Sequence, residues 1–178
     1  MEDSSADAEH VQPIRDALGK LVTDGLVPYN VGDNGECLLD LGLVKAHREA
    51  LDGDADEAER YGADTRALTA VLEDAVAREE IRGKHRRLLR AVLPLKPELV
   101  GKSIKERRTE AGKDLRPDKD DVRPGTIRNH YEPKALDKLA AVLWQMEQEF
   151  QAAVELGLQV EATSAQQGVE ADSQGSGS

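Results

Sequence analysis

The stretch VRPGTIRNHYEPKAL, residues 122–136, decides how the second half of the chain is read. Its first half has the makings of a helix start. Pro133 then arrives where that helix should run on. A proline inside a helix lacks the N–H of its turn, and its ring meets the carbonyl four residues back, here that of Asn129. The residues therefore predict a helix from near Gly125 that lasts about two turns before a kink or break. Pro133 itself suits a first helical turn. Beyond it Leu136, Leu139, Val142, Leu143, Met146 and Phe150 keep helical spacing, so a longer helix with one apolar face is expected.

Upstream, Ser103 and Glu106 stand three apart in SIKE. That is the capping-box pattern, in which hydroxyl and carboxylate each satisfy a backbone N–H, so a helix is expected over 104–115. RPDKDD forms the loop after it. Before it, RGKHRRLLRAV reads as a basic amphipathic helix with Leu88, Leu89 and Val92 inward, and the prolines of LPLKPELVGK force a turn or extended link.

The first half is also helical by periodicity. Val11, Ile14, Leu18, Leu21 and Val22 mark one helix, with Pro13 in its first turn and Gly25 at its end. Leu38, Leu41, Val44 and Leu51 mark a second, over about 37–51. Leu68, Val71, Leu72, Ala75 and Val76 mark a third, with Asp64 as its cap and Gly83 separating it from the next. Turn residues in VPYNVGDNGECLL suggest a structured loop, with a small hairpin as the alternative. Asp52, Asp54 and Asp56 alternate as in a calcium loop, but Glu57 and Ala63 occupy the positions that need glycine and a bidentate acid.

Aromatic residues make up 3% of the chain and Leu, Val and Ala dominate its apolar set, which favours helix-on-helix packing. The fold class expected is all-α, a multi-helix domain with a long C-terminal helix. Charge is unevenly placed: residues 1–81 hold 7 Lys/Arg against 20 Asp/Glu, residues 82–139 hold 17 against 9, and residues 140–178 hold none against 6. The overall charge of −11 thus conceals one basic segment, suited either to a polyanion or to pairing with the acidic helices inside one fold. The expected organisation is a disordered 1–9, an acidic helical subdomain over 10–81, a basic subdomain over 82–158 and a disordered tail over 159–178.

The order of residues over 103–136 resembles the C-terminal helix-turn-helix of bacterial sigma factors, region 4, and of LuxR-type regulators. In those families a capped helix, a turn closing on an apolar residue and two variable positions precede Gly-Thr-Val/Ile and a basic residue. Here the sequence is Val122-Arg123-Pro124-Gly125-Thr126-Ile127-Arg128. The resemblance implies that Val122 and Ile127 pack the two helices together. Thr126, Arg128, Asn129 and His130 would then face the base edges of double-stranded DNA, where Arg and Asn read guanine and adenine bidentately. Lys84, Arg86, Arg87, Lys102, Lys105, Arg107, Arg108 and Lys134 are the matching phosphate-contact candidates. The chain departs from the pattern in its longer loop, where Asp118, Asp120 and Asp121 oppose a phosphate backbone. It departs again at Arg123, which cannot accept from the N–H groups of a helix start. The longer segment from HRRLLRAV to ALDKLA also resembles uncharacterised helical modules of actinobacteria. That second likeness implies an acidic protein partner for the basic face.

No catalytic constellation competes with these readings. His130 and Tyr131 have no nucleophile or paired acid tied to them, and His10, His47, His85 and His130 lack metal-ligand spacing. Cys37, the single cysteine, excludes an intramolecular disulfide and reads as a small core residue of a cytoplasmic protein. No signal peptide or membrane span is visible. A non-enzymatic protein without cofactor or metal is expected. Trp144 falls off the main stripe of the last helix, at a helix contact or dimer seam, and that helix is the candidate surface for a homodimer.

Overall fold

A computed structural model of the chain describes residues 4–51, 57–115 and 122–172, with side chains over 8–51, 62–115 and 122–157. Among the described residues every regular element is helical: α1 (Ser4–Asp24), α2 (Pro28–Asn34), α3 (Glu36–Leu39), α4 (Gly42–Leu51), α5 (Glu57–Ala77), α6 (Gly83–Val92), a 3₁₀ turn (Pro97–Leu99), α7 (Ile104–Leu115), α8 (Pro124–Thr126), a π turn (Ile127–Tyr131) and α9 (Glu132–Asp172). The all-α expectation holds, including the long C-terminal helix.

The apolar stripes read from the sequence form one core. Leu18, Leu21, Leu68, Leu72, Leu88, Leu89, Leu139 and Leu143 belong to a single buried cluster, so the acidic and basic halves share their interior. The long helix α9 packs against α1, α4, α5 and α6, and α6 packs along α7. Contacts outside this core also tie the halves together. The buried carboxylate of Glu147 on α9 accepts the N–H groups of Gly42 (2.9 Å) and Leu43 (3.1 Å), supplying from 105 residues away the cap that α4 lacks locally. Trp144 stacks on His10 with centroids 4.4 Å apart, so the off-stripe tryptophan makes a helix contact within the chain.

Several local expectations are corrected. The segment after Gly25 is helical, as α2 and α3, where a loop or hairpin was expected. Pro28 at the first turn of α2 explains part of this, since a missing N–H costs nothing there. The first helix begins at Ser4, within the stretch expected to be disordered, so Pro13 lies inside it and not in its first turn. Ala6, Ala8 and Glu9 are good helix formers. Asp64 lies inside α5 and pairs with Arg48 (3.4 Å) instead of capping. Leu51 is half exposed at the end of α4. The backbone of α9 stays helical to Asp172, past the point where a disordered tail was expected. Residues 1–3 and 173–178, the start of the failed calcium motif (52–56) and the acidic loop (116–121) lie outside the described residues.

The capping box is present as read. Ser103 N–H donates to the Glu106 carboxylate (2.9 Å), and Glu106 N–H donates back to Ser103 Oγ (3.4 Å). Gly83 has φ +53, which an L side chain rarely adopts, and it separates α5 from α6.

Candidate functional site

The backbone stays helical across Pro133, which is the second residue of α9. The chain runs without a break from Pro124 through the π turn into α9. The Glu132 N–H bonds to the carbonyl of Ile127, five residues back. A π turn holds one residue more than an α turn, which resets the phase of everything N-terminal to it. It places Ile127, fully buried, on the same inner side as Glu132, Leu136 and Leu139. Pro133 follows directly after the π turn, where the i→i−4 ladder is already interrupted, so its missing N–H falls at an existing irregularity.

The helix α7 meets α8 and the π turn. Val122 and Ile127 are buried in the shared core. A side chain at Gly112 of α7 would collide with the Val122 carbonyl oxygen, so glycine is what lets the incoming chain cross α7. This close approach was not read from the sequence, where a helix-interior glycine looks only like a weak point.

Thr126, Arg128, Asn129 and His130 are all exposed. Arg128 makes no ion pair among the described residues. Arg123 caps nothing with its side chain, and Pro124 at the first helical position leaves one orphan donor fewer.

The phosphate-contact candidates divide. Arg107 is 2% exposed, and its guanidinium donates to the carbonyls of Val92, Val22 (2.9 Å) and Thr23 (3.5 Å). Arg108 forms a bidentate fork with the buried Glu132 carboxylate at 2.8 and 2.7 Å, clamping α7 to the first residue of α9. Arg86 donates to the carbonyls of Val76, Ala77 and Arg78, each at 2.9 Å, and so closes the C-terminus of α5. These three arginines hold the fold and are withdrawn from any phosphate role. Nothing in their sequence spacing separates them from surface arginines.

Arg87, Lys102, Lys105 and Lys134 stay exposed without an ion pair among the described residues, and so does Lys84. The Lys84 ammonium lies 5.6 Å from the centroid of the Tyr131 ring. Beside it His85 is half-buried, and burial together with the ammonium groups of Lys138, Lys84 and Lys134 pushes its pKa down. His85, Tyr131 and Lys138 were not among the expected site residues. The available signal was that Lys134 and Lys138 sit four apart on the predicted helix.

No group of three His, Cys, Asp or Glu side chains among the described residues could hold a metal ion, and no described helix is long and apolar enough to cross a membrane. Cys37 is half-buried, and burial pushes its thiol up, away from the reactive thiolate. No protein-family model, curated protein or solved structure matches the chain, so its function is argued from this geometry alone.

Proposed function

We propose that the chain is a non-enzymatic DNA-binding protein of regulatory type. In this reading α7 and the helix entered at Pro124 form its helix-turn-helix-like reader. The observation that carries this reading is the exposed set Thr126, Arg128, Asn129 and His130 on a helix start that Ile127 and Gly112 anchor against α7. Arg128 and Asn129 are the side-chain types that recognise guanine and adenine edges, and exposed lysines and arginines flank them for the backbone.

The test is titration of a labelled random-sequence duplex with the full chain, because the core is shared between its halves. If about five phosphates are neutralised, affinity should fall by about 10²-fold to 10³-fold between about 50 and about 200 mM salt. Arg128→Ala should weaken binding and, on a selected site, relax discrimination at one base by about 1–3 kcal/mol. Absence of duplex binding at low salt sinks this reading and leaves an acidic protein as the ligand of the same basic surface.

A further inference from the structure

Tyr131, Lys134 and Lys138 are spaced i, i+3, i+7 and so share one face of the helix. Lys84 of α6 sits over the Tyr131 ring, which brings the start of α6 to that face, and the next residue, His85, feels the charges of Lys138 and Lys134. Most carboxylates around this cluster are committed elsewhere. Glu132 is locked to Arg108, and Asp137, between the two lysines, turns to Arg15 of α1 at 3.0 Å. On α5 and its turn, Glu79 pairs with Arg82 (2.9 Å), and Glu80 lines a shallow groove with Glu79, Arg82 and Lys138. On α7 the acids Glu106, Glu110 and Asp114 are engaged by Ser103, Lys113 and Lys96. The other α6 cation that faces inward, Arg86, is spent on α5 carbonyls. The α6 N-terminus has no side-chain cap from Arg82, so the positive end of its dipole adds to the same region.

Three ammonium groups and a half-buried imidazole therefore stand together, with Glu80 beside Lys138 as the one of these acids that no side chain engages among the described residues. We propose that Lys84, His85, Lys134 and Lys138 form the seat of a DNA backbone phosphate, and that His85 takes up a proton when the phosphate arrives. In the free chain the lysines and burial oppose an imidazolium at this position. A phosphate reverses the sign of the local field and donates acceptor oxygens, so the charged form becomes favoured. Binding then tightens as pH falls. The inference rests on the DNA reading above, and it adds a proton to it.

The experiment follows the histidine ring signals of the full chain by NMR, with and without saturating duplex, and measures Kd by anisotropy across pH 6 to 8, a window flanking the usual histidine value of about 6.5. The expected result is a His85 titration that moves up on binding and a Kd that changes by about tenfold per pH unit between the free and bound pKa values. His85→Gln should remove that dependence, whereas His130→Gln should keep it. Lys134→Gln with Lys138→Gln, both on exposed side chains, should raise the His85 titration of the free chain without any DNA. Salt-sensitive duplex binding with an unmoved His85 and a pH-independent Kd overturns the seat and leaves the DNA reading standing. A free-chain His85 titration unchanged by the double lysine variant also overturns it. Failure of the chain to bind any duplex overturns both.

Discussion

Replacing Arg107 with methionine tests whether a residue that sequence assigns to phosphate contact is in fact a structural tie. Its guanidinium is buried and meets no carboxylate directly among the described residues; Glu132, whose charge it feels, is held by Arg108. What surrounds it instead are carbonyls from the C-terminal ends of α1 (Val22, Thr23) and α6 (Val92). Those ends carry the negative poles of two helix dipoles, which offset a lone buried cation. Methionine of similar length removes the charge and leaves at least two buried carbonyls unsatisfied, at about 1–3 kcal/mol each. Relief of the cation's desolvation, burial that already pushes the Arg107 pKa down and leaves its Nε without a partner, returns part of that loss. The expected net destabilisation is about 3–4 kcal/mol, a large share of the roughly 5–15 kcal/mol typical of a domain. Urea unfolding of the full chain, followed by far-UV circular dichroism, reads it directly. With a slope of about 2 kcal/mol per M, the midpoint should fall by about 1.5–2 M. The exposed neighbour Lys105→Met should stay within about 0.5 kcal/mol. An Arg107→Met chain as stable as wild type, yet weakened on duplex DNA like Arg128→Ala, would refute the structural assignment and restore the phosphate role.

Gly112→Ala should cost about 1–3 kcal/mol, because a methyl group there meets the Val122 carbonyl, which is backbone and cannot swing aside. Gly125→Ala, with open space around its Cβ position, should be neutral or slightly stabilising; equal thermal melts for the two variants would remove the close-approach argument. The Ser103 hydroxyl and amide hold the Glu106 carboxyl below the usual range. A depressed carboxylate contributes stability above its unfolded pKa and loses it as pH falls through the folded value, so the α7 start should loosen only in acid, below about pH 4. Ser103→Ala should move the Glu106 titration upward by NMR, and no movement would dissolve the capping box.

The inner stripes were legible because a buried helix face repeats its apolar residues at i, i+3 and i+4, and Leu68 to Val76 or Leu136 to Leu143 can serve no other purpose. The start of α7 was legible because Ser103 and Glu106 satisfy each other within one turn. Long-range polar contacts carry no such local mark. Arg86, Arg107 and Arg108 look like surface cations until the chain brings helix ends and Glu132 to them, and Glu147 gives no sign that it will cap a helix 105 residues earlier. The first-half helices α2 and α3 were hidden for a different reason: Gly32, Asp33, Asn34 and Gly35 have turn propensity, which packing of Val31 and Leu38 into the core overrides.

The rule that misled most was a sound one applied to the wrong helix type. Proline opposes a continued α-turn, but a π turn ending at Tyr131 relocates the irregularity to the residues before Pro133 and lets the helix continue. The gain is in phase. With the extra residue, Ile127 faces the same core as Leu136 and Leu139, so the short outward set from Thr126 to His130 sits at the end of a long helix and not on a frayed two-turn stub. That long helix is in turn held by the first half of the chain, through the Glu147 cap of α4, the Arg15–Asp137 pair and the His10–Trp144 stack. The acidic half is therefore the scaffold on which the basic surface is built. Among the described residues, none of its carboxylates pairs with Lys84, Arg87, Lys102, Lys105, Arg128 or Lys134.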